Sequence, residues 1–169
     1  LAISYLSHPG KSFSYPAKIL DARTGTVQLE LRSSAIGFSP DNRHLIVARP
    51  SQGAPALIER ETGKETPISR GASGVMDLAL TKDGKTLVAG MSDESVKIWN
   101  LITGEIVGVL EGPGSSSVSV TPDGRLVATG GSRGLVKIYD RTTSQVVKTW
   151  NEEEAENQAA IVRFSNDGH

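Results

Sequence analysis

The sequence predicts an all-β fold made of repeated four-stranded antiparallel units, about four units' worth, and three observations carry that prediction. A corner tetrapeptide recurs at nearly constant spacing, a second turn recurs between its copies, and short alternating apolar runs fill the intervals. Internal repetition comes first because it decides the architecture.

The corner is Ser39-Pro40-Asp41-Asn42, Thr81-Lys82-Asp83-Gly84, Thr121-Pro122-Asp123-Gly124 and Ser165-Asn166-Asp167-Gly168, with its aspartates 42, 40 and 44 residues apart. Each copy follows an alternating apolar pair: Ile36 and Phe38, Leu78 and Leu80, Val118 and Val120, Val162 and Phe164. Three copies precede a second apolar run, at Leu45–Ala48, Leu87–Ala89 and Leu126–Ala128. Pro presets φ for a turn's second position, Asp bonds its own backbone, and Gly or Asn accepts positive φ. The result is strand, tight turn, strand.

The second turn is Asp21 to Gly25, Arg60 to Gly63, Asn100 to Gly104 and Asp140 to Ser144. Each copy follows a β-rich run, clearest in Val96-Lys97-Ile98-Trp99 and Val136-Lys137-Ile138-Tyr139, and precedes another, such as Ile106–Leu110 or Val146–Trp150. Every period therefore holds four short strands, the composition of one β-propeller blade. The bulk composition agrees: 169 residues, 37% apolar but 5% aromatic, with 18 Gly and 8 Pro for the turns.

Val96-Lys97-Ile98-Trp99-Asn100 and Val136-Lys137-Ile138-Tyr139-Asp140 resemble the tryptophan–aspartate signature that closes the third strand of a WD repeat. The Thr-Pro-Asp-Gly corners and the Thr103-Gly104 turn fall where that family places them. The resemblance covers nearly the whole chain, is strongest from Gly74 to Trp150 and weak over residues 1–70, where Glu59-Arg60 replaces the signature. No Gly-His pair precedes a first strand; Arg70-Gly71 and Glu111-Gly112 stand there instead. In the family that His belongs to a buried polar network with a Ser/Thr, an Asp and the Trp. The resemblance thus implies an incomplete network here and greater dependence on apolar packing.

The phasing places a partial blade at 1–34, blades at about 35–74, 75–116 and 117–158, and the first strand of a further blade at 159–169. Leu1–Tyr5, Ala17–Leu20 and Val27–Leu31 read as second, third and fourth strands, and Ala160–Phe164 as an extra first strand, sixteen strands in all. Three readings of that tally are open: a piece of a longer propeller, a four-bladed ring closed by the last strand, or two chains closing one ring.

With 18 basic against 19 acidic residues, the net charge is −1, which argues against nucleic acid or an anionic membrane as partner. No apolar run approaches a membrane span, no signal peptide is visible, and Cys is absent, so an intracellular location is expected. His8, His44 and His169 share no metal-ligand spacing, and there is neither a Gly-x-Ser-x-Gly elbow nor a phosphate loop. No metal, cofactor or catalytic residue is therefore expected. The expected function is a non-catalytic scaffold that presents loops to partner proteins, possible self-association included; a propeller segment of a larger enzyme and an assembly component completed by another chain are the alternatives.

Binding residues concentrate on loops held by a rigid framework. The connections between blades and the turns between second and third strands share one face, which makes Arg70, Asp93, Glu94 and Arg133 candidate contacts. The acidic run Glu152-Glu153-Glu154 lies in one such connection and would steer a basic ligand; otherwise it is a solvated loop. Trp99 and Tyr139 are expected to be packed with their polar atoms partnered. Trp150 ends an outer strand beside a polar loop and serves either as an interface anchor or as packing.

Overall fold

The computed structural model describes residues 2–4, 16–32, 35–48, 55–68, 74–112, 117–151, 160–165 and 167–168. Every sheet in it is antiparallel and is built from strands consecutive in the chain. The first contains β1 (Ala2–Ser4), β2 (Pro16–Leu20) and β3 (Val27–Arg32). The second holds β4 (Ala35–Phe38), β5 (His44–Ala48), β6 (Ala56–Glu59) and β7 (Glu65–Pro67). The third holds β8 (Val75–Leu80), β9 (Thr86–Met91), β10 (Ser95–Asn100) and β11 (Ile106–Glu111). The fourth holds β12 (Ser117–Val120), β13 (Leu126–Gly130), β14 (Val136–Asp140) and β15 (Val146–Trp150), with a single 3-10 turn at Ser132–Gly134. There is no α-helix among the described residues, and hence no helix long and apolar enough to cross a membrane.

Each sheet stacks face to face on the next, which explains why the second strands read as unbroken apolar runs: both of their faces are covered. Leu45 and Val47 of β5, with Ala56 and Ile58 of β6, pack on Ile19, Leu29 and Leu31 of the first sheet. The opposite face of β5, Ile46 and Ala48, meets Val75, Leu87, Ala89, Met91 and Trp99 of the third sheet. Val88, Val96, Ile98 and Leu110 then meet Val118, Val120, Val127 and Tyr139 of the fourth. Fully burying one such aliphatic side chain contributes about 1.5–3 kcal/mol. These three inter-sheet cores, rather than the cross-strand hydrogen bonds alone, hold the blades together.

The corners do more than turn the chain. Thr81 Oγ1 donates to Asp83 Oδ1 at 2.6 Å, the same Asp oxygen accepts the Lys85 N–H at 3.0 Å, and the Thr86 N–H donates back to Thr81 Oγ1 at 3.1 Å. The arrangement repeats at Thr121–Asp123 and Ser39–Asp41, and Ser165 bonds Asp167 in the same way. The corner glycine is required twice over. Gly124 has φ +75°, and a Cβ there would lie 2.9 Å from Thr81 Cγ2 in the preceding corner.

One expected strand differs from the structure. Ala160–Phe164, read as an extra first strand, joins no sheet, so fifteen strands are present among the described residues. A strand needs a ladder partner; here the amides of Val162 and Phe164 donate instead to Ser117 Oγ and Ser119 Oγ, at 3.3 and 2.9 Å.

Candidate protein-interaction surface

First strands of successive sheets lie side by side, β4 beside β8 and β8 beside β12. β8 is tied to β12 by a device that recurs between β12 and residues 160–164: a side-chain oxygen on one segment accepts an amide of the next. Asp77 Oδ2 accepts the Val118 N–H at 3.0 Å, one residue-period before Ser117 Oγ accepts that of Val162. Arg163 folds back over this row, its Nη1 lying 3.2 Å from Asp77 Oδ2 and 2.8 Å from Ser117 Oγ. The cluster spans three consecutive units and is a clamp between them. Sequence reading missed it, although Asp77 is an acid in an otherwise apolar strand.

On one side of the blades lie the turns between second and third strands. Asp93 Oδ1 accepts the Ser95 N–H at 3.1 Å, and its Oδ2 lies 3.8 Å from Lys97 Nζ. Its carboxylate therefore shapes the turn. Glu94 is exposed and holds φ +67°, while its carbonyl accepts the Gly112 N–H at 2.9 Å. Gly134 takes φ +65° at the matching place in the fourth sheet. Arg133 sits in the 3-10 turn; its side chain, like the whole of Arg70, Glu152, Glu153 and Glu154, lies outside the described residues. Asp93 and Glu94 are thus adjacent on one turn, and the structure gives no grouping of them with the other candidates.

The opposite side carries the corners, and between them run two grooves that sequence reading did not anticipate. One, of about 320 Å³, is lined by Pro40, Asp41, Leu57, Leu80, Asp83 and Ile102 among others. The other, of about 500 Å³, lies between Pro122-Asp123 and Asp167-Gly168, with Arg125, Asp140 and Val147 at its sides. The corner hydroxyls of Ser39, Thr81 and Thr121, followed by backbone N–H donors, hold Asp41, Asp83 and Asp123 below the usual carboxylate range. Backbone N–H groups of Thr143 and Thr142 do the same for Asp140, and those of Thr24 and Arg23 for Asp21. All remain ionised at neutral pH, and no cluster of metal ligands forms among the described residues.

Trp99 and Tyr139 occupy matching places beside a repeated bulge, between Ile98 and Trp99 and between Ile138 and Tyr139. Tyr139 donates its hydroxyl to the Glu111 carbonyl and also bonds Thr129; burial pushes its pKa up. Trp99 is 0% exposed, and where a partnered polar atom is expected its Nε1 has no acceptor among the described residues. The register gives the reason. Lys137 faces Thr129, but Lys97 faces Ala89, so the hydroxyl available beside Tyr139 is a methyl beside Trp99.

The outer rim carries exposed apolar side chains. On β11, Val107 and Val109 are 55% and 57% exposed; on β15, Val147 is 60% and Trp150 43% exposed, with Lys148 Nζ 4.8 Å from the indole. The outer strand of the second sheet, Glu65–Pro67, carries an acid and a proline instead.

Face-stacked four-stranded sheets, joined strand to neighbouring strand and phased by equivalent corners, define a β-propeller architecture. Two WD repeats are recognised within the chain: the model for "WD domain, G-beta repeat" matches residues 64–100 and 104–140. No curated protein matches the chain. Among solved structures, it is similar to a chain of Kuenenia stuttgartiensis hydrazine synthase, at 20% identity and a TM-score of 0.72 over 84% of this chain. The match spans 44% of that longer chain, and at this identity the likeness is one of fold alone.

Proposed function

We propose that this propeller is a non-catalytic scaffold that binds partner proteins, with the outer rim of its third and fourth blades as the main docking surface. The observation that carries the reading is the exposure of Val107, Val109, Val146 and Val147 along two neighbouring outer strands. Exposed apolar side chains grouped along outer strands are candidate interaction sites, and edge strands without such a role are usually blunted by charge or proline. Glu65-Thr66-Pro67 carries both devices; β11 and β15 have no proline and one charged residue each, Glu111 and Lys148. Support also comes from the inter-sheet cores, which hold the rim strands in fixed relative positions, so that affinity can rest on few side chains. An intracellular setting fits the absence of Cys.

The test compares partners captured by the wild-type chain and by a Val107→Thr/Val109→Thr variant, with far-UV circular dichroism to verify the fold. Loss of a specific partner from the variant is the expected result. Equal capture by both chains would move the docking surface elsewhere, and turnover of a substrate by the purified chain would contradict the non-catalytic reading.

A further inference from the structure

Arg60, Leu101 and Arg141 occupy one position in three successive blades. Each is the first residue after a third strand, β6, β10 or β14. Each donates its backbone N–H to the residue just past a corner: Arg60 to the Arg43 carbonyl, Leu101 to that of Lys85 and Arg141 to that of Arg125, at 2.9, 2.8 and 2.9 Å. Two of the three side chains then cap the corner itself. Arg60 Nη1 donates to the Asn42 carbonyl at 2.9 Å, and Arg141 Nε donates to the Gly124 carbonyl. The Arg60 guanidinium also lies 5.7 Å from the centre of the Phe38 ring. Leucine can do none of this. The matching carbonyl in the third sheet, that of Gly84, accepts no hydrogen bond among the described residues, and Gly84 is half-buried where Gly124 is buried.

That corner opens on the groove of about 320 Å³ between the second and third sheets. Gly84 and Leu101 line it together with Leu57, Leu80 and Ile102. Ile102 is 73% exposed, and the three leucines are half-buried. The groove holds one acid from each corner, Asp41 and Asp83. In both, the corner hydroxyl and the amide two residues on donate to Oδ1. No salt bridge closes on either carboxylate among the described residues, although Arg43, His44 and Lys85 stand nearby. Oδ2 is left as an acceptor at each. A long apolar stem ending in a planar cation matches such a lining, with methylenes against the leucines and N–H donors for carbonyl and carboxylate.

We propose that this groove receives an arginine side chain of a partner protein, which supplies to the Gly84 carbonyl what Arg60 and Arg141 supply to the equivalent carbonyls from within the chain. The stem lies along Leu80, Leu101 and Ile102, and the guanidinium bridges the Gly84 carbonyl and the Asp83 carboxylate. Lysine is the poorer ligand: its ammonium is a compact, strongly hydrated point charge without the planar fork that reaches two acceptors at once. The site involves neither Val107 nor Val109. It shares with the rim reading only the premise that the chain binds proteins.

The test titrates N-acetyl-arginine amide into the methyl-labelled whole chain, with N-acetyl-lysine amide at equal ionic strength as the comparison. The arginine probe is expected to give saturable shifts at the Leu80, Leu101 and Ile102 methyls. The lysine probe is expected to bind at least about tenfold more weakly, the loss of one charge-assisted hydrogen bond. Leu101→Arg places in the third blade the residue that the second and fourth already carry, so it is expected to fold, as circular dichroism verifies. By filling the groove from within, it should weaken binding of the arginine probe at least about tenfold. Val107→Thr/Val109→Thr should bind the probe as the wild type does, so failure of the groove and failure of the rim are read separately. Absent or non-saturating shifts at these methyls overturn the proposal. So does equal affinity for the lysine probe, or arginine affinity that Leu101→Arg leaves unchanged. The lysine comparison, made on the wild type, stands even if that variant does not fold.

Discussion

Replacing Ala89 by Ser is expected to stabilise this protein, against the usual outcome of placing a hydroxyl in an apolar core. Ala89 is fully buried on β9, opposite Lys97 and beside Trp99, whose Nε1 has no acceptor among the described residues. An unsatisfied buried donor costs about 1–3 kcal/mol, and a buried hydroxyl without a partner costs a similar amount. Bringing the two together removes both penalties, leaving a net gain of about 0.5–1.5 kcal/mol, the usual worth of one internal hydrogen bond. For a chain of this size that is a rise of about 1–6 °C in Tm. Ser is chosen over Thr because it adds one atom rather than two, and overfilling a packed site costs about 1–3 kcal/mol. Urea and thermal denaturation followed by circular dichroism measure the change. A double-mutant cycle isolates its cause: in the Trp99→Phe background, which has no indole N–H, the gain should vanish. If Ala89→Ser destabilises by the same amount in both backgrounds, the missing-acceptor explanation is wrong. The converse change in the next sheet, Thr129→Ala, should cost about 1–2 kcal/mol, from a lost methyl and the hydroxyl bonded to Tyr139.

Gly124→Ala should destabilise by more than about 1 kcal/mol in the same assays, because it combines a left-handed φ with a Cβ 2.9 Å from Thr81 Cγ2. Ser144→Gly should instead stabilise by up to about 1 kcal/mol: Ser144 holds φ +59° where Gly25, Gly63 and Gly104 stand in the other blades. An acid titration should show stability at its full value above the unfolded carboxylate range, near pH 4. It should then fall as the pH drops through the lower folded pKa values of Asp21, Asp41, Asp83, Asp123 and Asp140. Thr81→Val and Thr121→Val, which remove the largest cause at Asp83 and Asp123, should make that fall shallower.

Corners and strands were legible because their chemistry is local. Asp83-Gly84 or Asp123-Gly124 between two apolar runs specifies a hairpin within a few residues, and the repetition supplies the architecture. The hydroxyl at each corner's first position was visible as Ser39, Thr81, Thr121 and Ser165, but its bond to the Asp two residues on appears only in three dimensions. What stayed hidden depends on register or on neighbours about forty residues away. Trp99 looks like Tyr139 until pairing shows Ala89 where the other blade has Thr129. Asp77 gives no sign that Val118 and Arg163 meet its carboxylate. The grooves exist only between one corner and the next. Val107 and Val147 read as ordinary strand residues, because an alternating pattern does not reveal which outer strands stay uncovered.

Methyl-to-methyl nuclear Overhauser contacts between the third and fourth units test the stacked-blade account most directly. The account predicts contacts from Val88, Ile98 and Leu110 to Val118, Val120 and Val127, across two sheets that share no backbone ladder. Their absence, together with backbone contacts pairing β11 with β12 in one continuous sheet, would contradict it.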